Sequence, residues 1–136
     1  MGALTADRNT VSREGSDFEF PVAAATKLFA GSIVGFNAAA VYASKGVTST
    51  TLKTVGVAIE QADNSAGAAG DIRVKVRRGV WRFGNSTAGD LITLANVGSD
   101  CYVVDDQTVA LTNGTATRSV AGKIRDVDAA GVWVEF

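Results

Sequence analysis

The sequence predicts an all-β fold, a small single-domain barrel or sandwich of short antiparallel strands with an extended N-terminal arm. Three observations point there. Apolar and polar residues alternate with a period of two over short runs, as in Ile72, Val74 and Val76 against Arg73, Lys75 and Arg77, the pattern of a strand with one dry face and one wet one. Fifteen glycines stand against a single proline, Pro21, which suits many tight turns between strands. No long stretch carries the apolar period of a capped helix, and no fixed-length repeat is evident. A chain of 136 residues fits one domain and can bury roughly two thirds of the surface its unfolded form exposes.

The elements follow in order. Residues 1–17 are polar and charged, without a sustained hydrophobic period, and predict an extended arm: either a frayed terminus or a segment that orders against a neighbour. Residues 18–136 predict the β domain. Strand-like runs begin at Phe18, Glu19 and Phe20, at Lys27, Leu28 and Phe29, and at Ser32, Ile33 and Val34. A hairpin connection through Asn37 precedes Val41 and Tyr42, and Val55 to Glu60 alternates again. Residues 62–70 hold no large apolar side chain, which predicts an exposed, mobile contact loop. After the strand of Ile72, Val74 and Val76, the bulky residues shift by one position to Trp81 and Phe83, which predicts a β-bulge near Gly79. Residues 90–98 read as a short strand or one helical turn. Two runs, Cys101 to Val104 and Thr108 to Leu111, flank Asp105, Asp106 and Gln107 as a hairpin, and Asn113-Gly114 is a strong turn signal. Residues 119–127 and 132–136 close the chain as two strands about a turn at Asp128 to Gly131.

Composition excludes several chemistries. The chain has no histidine, so the commonest general base and metal ligand is missing. Its one cysteine, Cys101, lies in a strand and reads as a buried core thiol rather than a nucleophile. The adjacent Asp105 and Asp106 face opposite ways if extended and fall at a turn. Asp126 and Asp128 open a pattern like a calcium loop, but Ala130 stands where the third acid belongs. Neither glycine-rich phosphate motif occurs. Asn85-Ser86-Thr87 and Asn113-Gly114-Thr115 match the glycosylation triplet and read as turns. No catalytic residue, cofactor or metal is expected.

Partners are constrained as well. Thirteen basic residues nearly balance fourteen acidic ones, so no overall field gathers nucleic acid or an acidic membrane. The N-terminus lacks a signal-peptide pattern and no run is long enough for a membrane span, so neither secretion by that route nor membrane embedding is expected, and the single cysteine is compatible with synthesis in a reducing cytoplasm. Arg73, Lys75, Arg77, Arg78 and Arg82 form the one basic cluster. It reads as a solvated or acid-paired strand face, or as a contact for an acidic protein surface, ahead of nucleic acid.

Several of these stretches carry a resemblance. Ala3 to Thr10 with Arg13-Glu14-Gly15, Leu28 to Val34, Val55 to Ala58, Gly70 to Val80, Tyr102 to Val109 and Arg118 to Ile124 together resemble bacteriophage capsid cement, or head-decoration, proteins. These are strand and turn patterns spread over nearly the whole chain rather than a catalytic signature. The resemblance implies a virion protein made in the bacterial host cytoplasm. It would sit on the outer surface of the head, commonly as a trimer, bridging major capsid subunits. No binding motif of that family transfers position by position. The candidate contacts with capsid or sister subunit are therefore drawn from the residues themselves: Arg8, Arg13, Glu14 and Phe18 in and beside the arm, and Arg73, Lys75, Arg77 and Arg78 on the basic strand. A phage tail, fibre or baseplate module would share the all-β character. A biotinyl or lipoyl carrier domain would need a lysine where this chain has Asp105, Asp106 and Gln107.

Overall fold

The computed structural model describes residues 2–11, 13, 15–38 and 40–136. The strands are β1 (Asp17–Pro21), β2 (Thr26–Leu28), β3 (Ile33–Asn37), β4 (Ala43–Lys45), β5 (Leu52–Ala58), β6 (Ala62–Asn64), β7 (Arg73–Arg77), β8 (Val80–Phe83), β9 (Asp100–Val103), β10 (Val109–Ala110), β11 (Val120–Asp128) and β12 (Gly131–Glu135). Two single 3-10 turns, Ala88–Asp90 and Leu94–Asn96, fill the stretch between β8 and β9. The fold is all-β, as the alternation and glycine content predict.

The strands form two five-stranded sheets, ordered β1-β7-β5-β3-β4 and β10-β9-β11-β12-β8, with β2 and β6 as a separate ribbon. All pairings within them are antiparallel. Each five-stranded sheet curls until its two edges touch. Val22, just past β1, bridges Ala43 at the opposite edge of the first sheet, and Gly84, just past β8, bridges Thr108 beside β10 in the second. These parallel bridges are single residue pairs outside the strands, so β1 is paired along its length with β7 alone.

Two clusters of buried side chains match this division. One joins Val22, Leu28, Val34, Ala43, Ala58, Ala62, Val74 and Val76, with Phe20, Val55 and Ile72 packed against it. The other joins Phe83, Ile92, Cys101, Val103, Val109, Ala121, Ile124, Val132 and Val134 of the second half with Ile33, Leu52 and Val57 of the first sheet. Neighbouring residues of β3 and β5 therefore serve different cores. Ile33 and Val57 belong to one cluster, Val34 and Ala58 to the other, because successive side chains leave a strand on opposite faces. The first sheet is thus bound into the same domain as the second.

Two expectations are corrected. The shift in phase at Gly79 is not a bulge: β7 belongs to the first sheet and β8 to the second, so the chain changes sheets there. Gly79 has φ of 139°, a conformation open to a residue without Cβ. The supposed mobile loop at 62–70 begins instead with β6, where Ala62 and Asn64 are buried. Asn64 donates from Nδ2 to the carbonyls of Ala23 and Ala68, both at 2.9 Å. A small, polar sequence is here a pinned ribbon, because backbone hydrogen bonding substitutes for large apolar side chains.

The hairpins read from the sequence are present: β3 with β4, β9 with β10, and β11 with β12. At Asn113-Gly114 the turn is unusual in hand. Gly114, Thr115 and Ala116 have φ of 61°, 59° and 60°, one turn of left-handed helix, and the Asn113 carbonyl accepts from the N–H groups of both Thr117 and Arg118.

Candidate functional site

Every described residue of the arm before Ser16 is exposed, including two large apolar side chains, Leu4 at 71% and Val11 at 88%. Those exposures matter because apolar side chains this open stabilise nothing in the isolated chain. Arg8 lies in this arm with its carbonyl accepting from the Thr10 N–H at 3.0 Å. Arg13 turns back over the Phe18 ring, 5.0 Å from its centroid. Glu14 falls outside the described residues.

The arm enters the body through β1, an edge strand of the first sheet. The Ser16 carbonyl accepts from the Arg78 N–H at 2.7 Å, so antiparallel pairing with the β7 side continues to the root of the arm. Alternation in β1 sends Phe18 and Phe20 to one face, opposite Val76 and Val74, and Asp17 and Glu19 to the other, opposite Arg77 and Lys75.

On the outer face the basic strand meets its acids, as one of the two readings of the cluster requires. Arg77 Nε donates to Asp17 Oδ1 at 2.7 Å and its second nitrogen to Oδ2 at 3.1 Å, a bidentate pair. Arg73 Nε donates to Glu19 Oε1 at 3.1 Å and its terminal nitrogen to the Glu19 carbonyl at 2.9 Å. The hydrogen bond from Arg77 holds the Asp17 carboxyl below its ordinary range, and Asp17 raises the guanidinium in turn. Lys75 stands across from Glu19, but Arg73 takes that carboxylate. Lys75 and Arg13 line one shallow concavity with Ile59, Arg73 and Arg77. Arg82 leaves the cluster altogether, its guanidinium 5.7 Å from the Trp133 ring on the second sheet.

A groove of about 430 Å³ opens where the two sheets meet. Phe18, Phe20 and Val55 line it from the first sheet, and Ala121, Gly122 and Phe136 from the second half. The rings of Phe18 and Phe20 stack with centroids 6.1 Å apart, and Phe20 meets Phe36 edge-on at 5.1 Å. Charges stand among the lining residues: Lys123 pairs with Asp100 at 2.7 Å, Glu135 pairs with Arg125, and Arg78 has no side-chain partner among the described residues. The volume lies within the range of small-ligand or peptide side-chain sites.

Compared with known proteins, the chain matches no family model, no curated protein and no solved structure.

The remaining acids have local structural work. Asp128 accepts from the N–H groups of Ala130 and Gly131 and from Trp133 Nε1 at 2.8 Å, which builds the β11–β12 turn and lowers its carboxyl, the tryptophan bond first among the causes. Asp105 accepts from the Gln107 N–H in the β9–β10 turn. Cys101 is fully buried, and burial pushes its thiol up to about 12, the environment of an inert thiol.

Of the eight residues singled out from sequence, the structure gathers Arg13, Phe18, Arg73, Lys75 and Arg77 around one concavity. Arg78 lies in the groove beside it, and Arg8 lies out on the arm. Sequence reasoning missed the groove itself. Its only signal was the close spacing of Phe18 and Phe20, and the partner residues come from positions far along the chain.

Proposed function

We propose that this chain is a structural virion protein that binds the outside of a bacteriophage head and stabilises the lattice by bridging major capsid subunits, as a homotrimer. Its work in this reading is binding, with no catalytic step. The observation that carries it is the arm: its described residues before Ser16 are all exposed, Leu4 and Val11 among them, and it is rooted by strand pairing in a β body. A rigid body fixes the position of a contact, and an extended arm that orders on docking adds area across a seam between neighbours. Trimerisation multiplies a weak contact through effective concentration. The paired charges of β1 and β7 make the root of that arm firm, and the resemblance to head-decoration proteins supplies the object that is bound.

The test is deletion of residues 2–16, followed by mixing with emptied phage heads and co-sedimentation. Head binding should be lost while the circular dichroism spectrum of the body is retained. Undiminished binding by the shortened protein would overturn the proposal, and labelling on the tail instead of the head in cryo-electron micrographs would move it to a tail, fibre or baseplate module.

A further inference from the structure

We propose that the outer edge of β8 pairs with β8 of a second copy of this chain, the two strands running antiparallel about a two-fold axis at Trp81. The proposal stands apart from the virion reading, since it needs no head. It follows from where the backbone hydrogen bonds go along the edges of the two five-stranded sheets.

Three of the four edges are blunted by the chain itself. On β1, Pro21 has no N–H to offer and the Arg73 guanidinium fills the Glu19 carbonyl at 2.9 Å. On β4, the Ala43 carbonyl accepts from the Ala23 N–H at 2.9 Å, and the strand ends in the exposed Lys45, a residue that discourages strand addition. On β10, the Val109 N–H donates to the Gly84 carbonyl at 3.0 Å and its own carbonyl accepts from Ser86 Oγ at 2.9 Å.

The edge of β8 has no such cover. The Phe136 N–H donates to the Gly79 carbonyl at 3.0 Å, so alternation along the antiparallel pair turns the backbone of Trp81 and Phe83 towards β12 and that of Val80 and Arg82 outwards. Two N–H and two C=O groups therefore stand in a row without a hydrogen-bond partner among the described residues. The side chains beside them are open too, Val80 being 46% exposed. Such a row is a template for another strand.

The ends of this short window select the strand that fits. At one end the Gly84 N–H donates to the Gln107 carbonyl at 2.8 Å, so the β9–β10 turn already occupies the edge. At the other end the chain bends at Gly79 into the first sheet. A long straight strand runs into the turn. A second β8 does not: with Trp81 across from Trp81, Gly79 of the second copy comes opposite Phe83, where that chain is already bending away to its own first sheet.

Charge agrees with the same register. Arg82 of each copy stands across from Val80 of the other, so no like charges face each other directly. Val80 is flanked by Glu135 of its own sheet on one side and by Arg82 of the second copy on the other. Arg125 engages Glu135 through Oε2, and Oε1 has no partner among the described residues. Opposite charges thus set the register while the backbone supplies the bonds. A two-fold contact closes on itself, so it joins two copies, or two cyclic oligomers, and does not itself build a trimer.

The experiment uses the full-length protein without phage heads. Val80→Cys and Arg82→Cys are made separately, with the buried Cys101 left in place, and the two proteins are mixed and mildly oxidised. Directly opposed residues stand about 5.5 Å apart at Cα, so a covalent dimer is expected in the mixture and not from either protein alone. In hydrogen exchange, the amides of Val80 and Arg82 should be protected in concentrated protein and lose that protection on dilution. Val80→Lys, which keeps the backbone and sets a lysine against Arg82, should halve the light-scattering mass from an even multiple of the 14.0 kDa chain. Val80→Pro, which removes one outward N–H, should do the same. A strictly monomeric parent at high concentration would overturn the proposal. So would a mass unmoved by Val80→Lys in protein that keeps the parent's circular dichroism spectrum, or cross-linking no stronger in the mixture than in Val80→Cys alone. Protection of the two amides that appears only when heads are added would also overturn it, and would assign the edge to a capsid strand.

Discussion

Arg77 grips both carboxylate oxygens of Asp17, at 2.7 and 3.1 Å, across the pair of strands from which the arm departs. The pair is exposed, so its net effect on global stability is small, yet it ties down the edge strand where the arm begins. Arg77→Gln should therefore raise hydrogen exchange at the backbone amides of Phe18 and Phe20, leaving amides of β11 and β12 unchanged. Uniform exchange along the chain would contradict this local role.

The same pair gives a direction for pH. Asp17 is held below its ordinary value chiefly by Arg77, and Asp63, Asp90 and Asp128 are lowered chiefly by hydrogen bonds from Ser65, Thr112 and Trp133. A carboxyl depressed in the folded state contributes stability that is complete above its unfolded value and lost as pH falls through the folded one. The melting temperature should be nearly level between about pH 7 and 5 and fall below about pH 4. The Asp17→Asn/Asp128→Asn variant should show a shallower acid decline in differential scanning fluorimetry.

How far the sequence determines the fold is visible in β7 and its surroundings. Alternation placed Val74 and Val76 inside and Arg73 and Arg77 outside because strand geometry alone decides that, and the structure agrees. The change of sheet at Gly79 was invisible, since a one-residue shift in phase is equally the mark of a bulge. The ribbon strand β6 escaped for another reason. Ala62, Asp63 and Asn64 carry no bulk, and the bonds that hold Asn64 come from Ala23 and Ala68, which are recognisable only after folding. The candidate site divides likewise: the arm and the basic strand are contiguous in sequence, whereas the groove joins Phe18 and Phe20 to residues about a hundred positions away.

Ile124 is fully buried in the cluster that joins the second half to Ile33 and Val57 of the first sheet. Ile124→Ala should cost about 2–5 kcal/mol, read as a lowered denaturant midpoint. Val80→Ala, at a side chain 46% exposed, should stay within about 0.5 kcal/mol of the parent. Equal effects of the two would mean that this cluster is not the core.

Gly122 makes a sharper prediction because its constraint is space alone. A Cβ there would stand 2.2 Å from the Glu135 carbonyl oxygen of the neighbouring strand and 3.0 Å from Val134, and backbone on the paired strand has little freedom to retreat. Gly122→Ala should destabilise by about 1–3 kcal/mol, whereas Gly89→Ala, with nothing within 4 Å, should leave the denaturant midpoint nearly unchanged.

Cys101 tests the chemical silence of the interior. Its thiol is enclosed, raised to about 12 by burial, and directed to the Gly122 carbonyl at 3.6 Å. The reactive thiolate is therefore scarce at neutral pH, and reagent must wait for the chain to open. A disulfide reagent should label the native protein slowly, at a rate that rises with denaturant, and react at once with the unfolded chain. The Ile124→Ala variant should label faster than the parent under native conditions, because the same cluster encloses both side chains. Rapid labelling of the undisturbed protein would show that the second core is open to solvent, and would return Cys101 to consideration as a working thiol.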